Sequence, residues 1–369
     1  MKQAPEEIAK SKPRLSGGTR FWLGFTLLLA AAAVWTTLWP ATPPPVPQAA
    51  ASFDMPSFDL PSFDLQGHRG ARGLMPENSL PAFETALALG VTTLELDTVL
   101  TADGVVVVHH DRRLAPQRTR DAAGTWIAEE APPAVLDLTA AELAGYDIGR
   151  AKPGSRVAQN FPEQAALDGV AIPTLAAVLA RAEALSGGTV RYNIETKIAP
   201  DSPDDSAAPE AFAAALVGVI RSAGVAPRAA VQSFDWRTLQ TVQRLAPEIA
   251  TVYLTAEQDW LDNLGRGDPQ PSPWLGGLAV DWAATTVPQA IRRAGGAVWS
   301  PYYRDLTAVD LKEAQQLGLR VVPWTVNDAA TMASLIDLGV DGLITDYPDR
   351  ARRVMAEKGL SLPPSFPGD

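Results

Sequence analysis

The chain has 369 residues, no cysteine, 46% hydrophobic residues and a formal net charge of −11. This length allows one large barrel or two ordinary domains, and the hydrophobic fraction excludes a generally disordered chain. The lack of cysteine excludes a disulfide framework, a thiolate metal site and a cysteine nucleophile. The first 20 residues carry a net charge of +3, which leaves −14 for residues 21–369 and disfavours nucleic acid as a partner.

Residues 21–39 form the one long apolar run of the sequence and contain no charged residue. About 20 helical residues cross the ~30 Å hydrocarbon core of a bilayer, so this run predicts a single transmembrane helix that anchors the chain in the membrane. The basic residues 1–20 are expected in the cytoplasm, which places the rest of the chain on the extracytoplasmic, periplasmic side. The alternative is a signal peptide that is cleaved near Ala49-Ala50-Ala51, followed by secretion.

Residues 40–64 predict a proline-rich tether. Five prolines between positions 40 and 47 favour a stiff, extended chain. A five-residue pattern then occurs three times, beginning at Ser52, Ser57 and Ser62, which is too few copies for a repeat fold. The third copy is expected to run into the first strand of the folded domain.

From residue 65 onward, strand-like and helix-like runs alternate, which is typical of parallel strands joined by helices. About eight units over ~290 residues favour a closed (β/α)8 TIM barrel, here residues 65–355, over an open sheet. The predicted strands are Leu65–His68, Thr92–Leu100, Val105–His109, Thr189–Thr196, Ala229–Phe234, Ala250–Leu254, Ala297–Ser300, Leu319–Val326 and Gly342–Thr345. The predicted helices are Asn78–Leu89, Ala207–Ala223, Asp235–Leu245, Thr285–Ala294, Ala308–Leu317 and Ala329–Leu338.

Two segments of this region are interpreted differently from the repeating unit. Val105–His109 is predicted to form a hairpin extension after the second strand, because a tight turn at residues 101–104 precedes it. Residues 112–172 are too long for an ordinary loop and are expected to form an inserted subdomain or lid. Residues 356–369 are predicted to form a C-terminal tail.

Three carboxylates follow strand patterns in positions that suit a metal ion. Glu95 and Asp97 are two residues apart on one strand, so both point to the same face, and Glu195 lies on the next major strand. In a (β/α)8 barrel the active site lies at the carboxyl ends of the strands. These acids predict an all-oxygen site for one divalent cation, Ca²⁺ or Mg²⁺. The alternative is a structural ion-pair network with Arg69, Arg72 and Lys197.

All three histidines of the chain lie between positions 68 and 110. Histidine is the usual proton carrier in catalysis because its ordinary pKa lies near neutrality. His68 and His110 each follow a strand beside a charged residue, which makes them the candidate acid and base, while His109 is expected to point away. Arg69 and Lys197 are candidates to hold a phosphoryl oxygen, a role compatible with balancing the acids.

These residues belong to an ordered set of motifs. The set is His68-Arg69-Gly70, Pro76-Glu77-Asn78-Ser79, Glu95-Leu96-Asp97, Thr101-Ala102-Asp103-Gly104, Val107-Val108-His109-His110-Asp111, Glu195-Thr196-Lys197, Ser233-Phe234, Trp324-Thr325-Val326-Asn327 and Asp341-Gly-Leu-Ile-Thr-Asp-Tyr-Pro348. Together the motifs resemble the glycerophosphodiester phosphodiesterase family over about residues 65 to 355. One departure is Asp111-Arg112-Arg113-Leu114, where that family often has a proline and a threonine.

The resemblance implies a (β/α)8 barrel with an insertion. The implied activity is hydrolysis of glycerophosphodiesters to glycerol 3-phosphate and an alcohol. It also implies one divalent cation, commonly Ca²⁺ or Mg²⁺, with roles for particular residues. Those matching positions are Glu95, Asp97 and Glu195 for the metal, His68 and His110 for catalysis, and Arg69 and Lys197 for phosphate contact. The alternatives are a lysophospholipase D-type hydrolase acting on membrane lysolipids and a non-catalytic envelope binding module. A metal-free phosphoinositide-cleaving barrel would not need the three acids. The substrate's alcohol, the acid and base assignment and the oligomeric state stay open.

Overall fold

The computed structural model describes residues 61–368, in which strands and helices alternate along the chain. The strands are β1 (Asp64–Gly67), β2 (Thr93–Leu100), β3 (Val106–Val108), β4 (Arg191–Thr196), β5 (Ala229–Ser233), β6 (Ala250–Thr255), β7 (Glu257–Gln258), β8 (Leu261–Asp262), β9 (Val298–Pro301), β10 (Arg320–Val321) and β11 (Gly342–Thr345). The α-helices are α1 (Leu80–Leu89), α2 (Ala140–Leu143), α3 (Arg156–Asn160), α4 (Leu175–Ser186), α5 (Pro209–Ser222), α6 (Trp236–Leu245), α7 (Val287–Arg293), α8 (Ala308–Gln316), α9 (Ala329–Leu338) and α10 (Pro348–Glu357).

The central sheet closes into a barrel. Within the described residues its parallel strands follow the order β10-β9-β6-β5-β4-β2-β1-β11, and β3 pairs antiparallel with β2 as the predicted hairpin extension. The two end strands are joined by backbone hydrogen bonds from Asp341 N to Val321 O (2.9 Å) and from Ile344 N to Pro323 O (3.0 Å). The fold is therefore the predicted (β/α)8 TIM barrel, and its strand ends meet at one rim.

The helices begin and end where short polar residues and glycines interrupt the apolar pattern. The side chains of Ser79, Thr174 and Asp235 each accept a backbone N–H at the start of α1, α4 and α6. Gly90 and Gly187 end α1 and α4 with positive φ angles of 89° and 60°, which glycine adopts without a steric penalty. These caps fix where each helix returns the chain to the sheet.

Alternation along the strands separates the core from the site. In β2, Leu94 and Leu96 belong to the large apolar core that packs between sheet and helices, while Glu95 and Asp97 face the barrel interior. Trp236 is fully buried in that core and packs edge to face on Tyr253, with ring centroids 4.9 Å apart. Burial of each large apolar side chain contributes about 1.5–3 kcal/mol, so the outer core carries most of the stability.

The insertion after the second strand has a small core of its own. It contains α2, α3 and a 3-10 helix at Val135–Asp137. Its apolar cluster, shared with β2 and β3, consists of Val99, Val107, Leu114, Val135, Leu143, Ile148 and Ile172. Arg120 lies between Asp147 and Asp168, with its Nη2 atom 2.5 Å from an oxygen of each. The segment is therefore a packed unit next to the barrel rim.

Several elements differ from the prediction. Strand β10 covers only Arg320–Val321 instead of Leu319–Val326, because Pro323 has no N–H to donate toward β11. On the side of β9, Val322 N and Trp324 N still donate to Trp299 O and Pro301 O over 3.0 Å. Helix α4 was absent from the predicted set, although Thr174 and Gly187 are ordinary start and stop signals for it. Helix α10 was also absent from that set.

The predicted N-terminal segments fall almost entirely outside the described residues. These segments are the cytoplasmic residues 1–20, the transmembrane helix 21–39 and most of the tether 40–64. Between residues 61 and 368, every helix is too short or too polar to cross a membrane. At the other end, the predicted tail runs back along the barrel, where Phe366 N donates to Leu87 O over 2.8 Å.

Candidate active site

Three buried carboxylates meet at the carboxyl end of the barrel. Glu95 and Asp97 project from β2 and Glu195 from β4, and the register of the two strands places Asp97 directly beside Glu195. One oxygen from each carboxylate lies within 4.8 Å of the others. The structure thus brings together all three residues that were predicted to bind a metal.

Basic side chains balance this cluster only in part. Asp97 lies 3.0 Å from Arg69 Nε and 3.1 Å from Lys197 Nζ, and Lys197 Nζ also lies 2.6 Å from Glu195. Glu95 instead accepts the Arg69 backbone N–H over 2.8 Å and the Gln232 side-chain amide over 2.6 Å. The alternative ion-pair network therefore exists around Asp97 and Glu195. It leaves three carboxylates facing two cations.

The electrostatics of the cluster favour a bound cation. Burial and the nearby charges of Asp97 and Glu195 raise the pKa of Glu95 well above its usual range, and burial raises the pKa of Glu195 to about 7. Burial acts against ionisation of Asp97 too, but Lys197 and Arg69 outweigh it and hold its pKa well below the usual range. Like carboxylates that share a site ionise together only when a cation intervenes. Three hard oxygen donors at this spacing fit Ca²⁺ or Mg²⁺.

His68 lies at the end of β1 and is held by a carboxylate from the neighbouring strand. Its Nδ1 lies 2.6 Å from Oδ1 of Asp346, which follows β11, while its Nε2 lies 3.9 Å from Glu95. Asp346 is fixed in turn by Asn327, whose Nδ2 donates to Oδ2 over 2.6 Å. Burial lowers the pKa of His68, and the Asp346 carboxylate opposes that effect. With Nδ1 bound, the reactive nitrogen is Nε2.

His110 is held in the same way by a different carboxylate. Its Nδ1 lies 2.7 Å from Asp111 Oδ1, and Arg118 donates to the other Asp111 oxygen. Burial lowers the pKa of His110 to about 3, with Arg69 adding to the effect. His109 is buried beneath the site, does not line the cavity, and donates its backbone N–H to Asp97 O over 3.0 Å.

The turn after β1 explains how Arg69 reaches the cluster. Arg69 has a φ angle of +50°, and Gly70 follows with a φ of +85°. A Cβ atom at Gly70 would lie 2.6 Å from the backbone of Ala82, so only glycine fits against α1. The Arg69 guanidinium pairs with Glu77 over 2.7 Å, and Arg72 pairs with the same carboxylate over 2.7 Å. Glu77 therefore fixes both arginines at the edge of the site.

One cavity of about 590 Å³ contains these groups. Its charged and titratable lining residues include His68, His110, Glu95, Glu195, Arg69 and Lys197. Its aromatic lining residues are Phe234, Trp260, Trp274 and Trp324. Trp324 packs edge to face on Phe234, with ring centroids 5.3 Å apart, and Trp260 is 59% exposed at the mouth. The cavity therefore combines charged side chains with an aromatic wall formed by these four residues.

Some residues of the site were not assigned from the sequence. Asp346 directly follows the predicted strand Gly342–Thr345 and was given no role. It meets His68 because β1 and β11 are neighbours, and it meets Asn327 from the segment after β10. Gln232 stands before the Ser233-Phe234 motif, and its contact with Glu95 depends on strand register. The position after a barrel strand was the available signal for Asp346.

The carboxylate cluster and the two carboxylate-held histidines lie at the rim of a closed (β/α)8 barrel, where enzymes of this fold carry their active sites. Residues 68–350 match the model of the glycerophosphoryl diester phosphodiesterase family, and the chain belongs to that family of phosphoric diester hydrolases. It is 30% identical over 295 residues to the glycerophosphodiester phosphodiesterase of Bacillus subtilis (strain 168), covering 78% of this chain and 84% of that one.

Solved structures agree with this assignment. A candidate glycerophosphoryl diester phosphodiesterase of Silicibacter pomeroyi DSS-3 superimposes with a TM-score of 0.71 and 37% identity, covering 82% of this chain and 96% of that one. An Oleispira antarctica phosphodiesterase in complex with its product sn-glycerol-3-phosphate has a TM-score of 0.57 and 21% identity, covering 79% and 96%. The second likeness shows the shared fold alone.

Proposed function

We propose that this chain hydrolyses glycerophosphodiesters to glycerol 3-phosphate and an alcohol in a metal-dependent reaction, with His68 and His110 as the acid–base pair. The observation that carries the proposal is the shared cavity, in which two histidines held at Nδ1 face a cluster of three carboxylates. The 30% identity to the glycerophosphodiester phosphodiesterase of Bacillus subtilis (strain 168) supports the same substrate class here.

Glu95, Asp97 and Glu195 would hold one divalent cation, Ca²⁺ or Mg²⁺. When bound, such a cation polarises phosphoryl oxygens and stabilises the charge of the transition state. Arg69 and Lys197 add fixed positive charge on the same side of the cavity, where a phosphoryl oxygen could accept from them. Their contacts with Asp97 hold both cations in place before substrate arrives.

The two histidines would move the protons of the reaction. Asp346 and Asp111 each occupy one Nδ1 atom, which leaves both Nε2 atoms for chemistry. One Nε2 takes the proton of the attacking oxygen and the other donates a proton to the departing alkoxide. If water attacks, this step gives glycerol 3-phosphate directly. If the glycerol 2-hydroxyl attacks, it gives a cyclic glycerol phosphate, which water opens in a second step with the two histidine roles exchanged. Each acid–base role typically contributes ~10²–10⁴ in rate, so alanine at either position should nearly abolish turnover.

The test is hydrolysis of glycerophosphocholine by the full chain with EDTA, Ca²⁺ or Mg²⁺. Metal-dependent release of glycerol 3-phosphate, lost in His68→Ala and His110→Ala and kept in His109→Gln, is the expected result. His109 is the matched control because it directly precedes His110 in the chain, yet it does not line the cavity. Full activity in EDTA, or in both alanine variants, would overturn the mechanism. No hydrolysis by folded protein would favour a non-catalytic binding module.

Lysophospholipase D-type hydrolysis of membrane lysolipids is the second candidate. The aromatic wall of Phe234, Trp260, Trp274 and Trp324 offers apolar surface for the alcohol side of such a substrate. A 53-residue segment is also 47% identical to a lysophospholipase D of Mus musculus, covering 14% of this chain and 16% of that one. Comparison of kcat/KM for lysophosphatidylcholine and glycerophosphocholine decides between them, with Trp260→Ala expected to lower only the first.

We also propose that residues 21–39 hold the catalytic barrel on the extracytoplasmic side of a membrane. The uncharged length of this run and its basic flank support an uncleaved anchor. Fractionation of cells that express the full chain should place it in the membrane pellet, with the barrel accessible to protease only from the extracytoplasmic side. A shortened, soluble form in the medium or periplasm would favour the cleaved signal peptide.

A further inference from the structure

A line of buried hydrogen bonds crosses the barrel interior and ends on the carboxylate cluster. Gln232 Nε2 donates to Glu95 Oε1 over 2.6 Å, and Gln232 Oε1 accepts from Asn193 Nδ2 over 2.9 Å. Asn193 Nδ2 also donates to Gln66 Oε1 over 2.8 Å, and Gln66 Nε2 donates to Asp64 Oδ2 over 2.7 Å. All five side chains are buried, so water does not compete for these bonds.

The two carboxylates at the ends determine the direction of every amide between them. An ionised carboxylate only accepts, so Gln232 turns its nitrogen toward Glu95 in the form of the site that binds a cation, and Gln66 turns its nitrogen toward Asp64. The two glutamine oxygens then face Asn193, which donates one N–H to each. In the part of the chain that the structure describes, Asn193 Oδ1 makes no hydrogen bond. Donation from the Asn193 nitrogen is therefore what the line uses.

This polar line differs from the rest of the barrel interior. The other side of the interior is packed with small and branched apolar residues, including Ala230, Val252, Val298, Val322 and Ile344. Branched apolar residues usually fill the interior of such a barrel. Buried amides add little net stability, since each exchanges bonds to water for bonds inside the protein. Packing alone gives no physical reason for placing three amides here.

The reason lies at the end of the line. Among the described residues, no lysine or arginine side chain pairs with Glu95, whereas Asp97 and Glu195 both contact Lys197. Glu95 is held instead at two points, with Gln232 on Oε1 and the Arg69 backbone N–H on Oε2. Two fixed donors set the rotation of the carboxylate and favour its ionised form.

We infer that Gln232 is a positioning residue that orients Glu95 for cation binding, and that Asn193 fixes the orientation of Gln232 from the interior of the barrel. The inference rests on the proposed cation site. Loss of an outer partner of a metal ligand typically lowers metal affinity ~10–100-fold. The effect should be largest at Gln232, smaller at Asn193 and smallest at Gln66, because each acts through the one before it.

The test is calorimetric titration of Ca²⁺, Mg²⁺ and Mn²⁺ into the full chain and its variants. Gln232→Met removes the donor with little change in shape, and Asn193→Asp replaces the donating nitrogen with an oxygen. Gln243→Leu is the matched control, since that half-buried amide bonds to Thr251 Oγ1 and Tyr253 OH, away from the site. Unfolding temperature in EDTA measures the structural effect of each change separately.

The expected result is a ~10–100-fold weaker metal affinity in Gln232→Met and Asn193→Asp. The metal affinity of Gln243→Leu should stay unchanged, even when that substitution lowers the unfolding temperature as much as the other two do. Hydrolysis by the two site variants should recover when the metal concentration is raised by the same factor. Affinities within twofold of the unaltered chain would overturn the inference while leaving the proposed function standing. If Asn193→Asp fails to fold, Gln66→Met is the substitute test, because Gln66 is the next amide in the line beyond Asn193. Failure of the unaltered chain to bind any of the three cations would overturn both proposals.

Discussion

Asparagine at position 346 removes the negative charge that holds His68 and keeps the size of the side chain. In the structure both Asp346 oxygens accept, Oδ1 beside His68 Nδ1 and Oδ2 from Asn327 Nδ2. An amide at this position must therefore turn its NH2 group toward one of two donors. Either His68 loses its partner and is free to take the wrong tautomer, or Asn327 faces a second donor in a buried site.

The magnitude follows from the contacts that are lost. A hydrogen bond to a charged group is worth about 1.5–3 kcal/mol, and a buried donor left without a partner costs about 1–3 kcal/mol. If this loss falls on the transition state, in which His68 carries or releases a proton, the sum corresponds to a decrease in kcat of about 10²–10⁴-fold. The same range is expected for loss of one acid–base role.

The assay is glycerophosphocholine hydrolysis at saturating metal, with kcat and KM measured for Asp346→Asn. We expect kcat to fall and metal affinity to stay within about twofold, because Asp346 is not part of the carboxylate cluster. Asp147→Asn is a matched control, since Asp147 also accepts several donors but lies in the insertion. The control should lose stability and keep its kcat. If Asp346→Asn keeps kcat within about tenfold, the role given to the His68–Asp346 pair is wrong.

Three further changes test other parts of the structure. Glu95→Gln turns an amide NH2 toward one of two donors, Gln232 Nε2 or the Arg69 backbone N–H, and removes a cation ligand, so it should weaken Ca²⁺ binding in calorimetry. Trp236→Ala deletes a fully buried side chain of the core between the sheet and the helices and should lower the free energy of unfolding by about 3–5 kcal/mol, measured in urea at unchanged pH. Burial opposes ionisation of Asp147, but backbone N–H groups of its neighbours and Arg120 hold its pKa below the usual range. Its stabilising effect is therefore present above about pH 4 and lost as the pH falls further, so Asp147→Ala should flatten the acid side of the stability profile.

Local sequence rules could predict the site residues that lie within a few positions of a strand end. The two-residue spacing of Glu95 and Asp97 placed them on one face of β2, and the strand-end rule added Glu195 and His68. Asp346 could not be given its role in this way, because it is 278 residues from His68 and meets it only through the pairing of β1 with β11.

The polar line inside the barrel shows a second limit. Asn193 and Gln232 each occur inside a run that otherwise looks like an ordinary buried strand. Which side chains meet depends on strand register, here Glu95 beside Asn193 and Glu195 beside Gln232. Hydrophobic periodicity describes one strand at a time and contains no register between strands. The pattern of a single strand therefore predicts which side chains face the barrel interior, but not which side chains of other strands they contact.

Stability and function make opposite demands on the carboxyl end of this barrel. Three carboxylates facing two cations in a buried site lower the stability of the metal-free protein, and burial lowers the pKa of both His68 and His110. The outer core between the sheet and the helices can offset that cost because it is built mainly from helix side chains and from side chains on the opposite faces of the barrel strands. Such a division lets side chains that face the cavity serve chemistry while the opposite faces of the same strands hold the fold. Local conflicts between sequence and stability are expected at functional sites, and here they concentrate on β1, β2, β4 and β11, whose ends carry the histidine, the acids and Asp346.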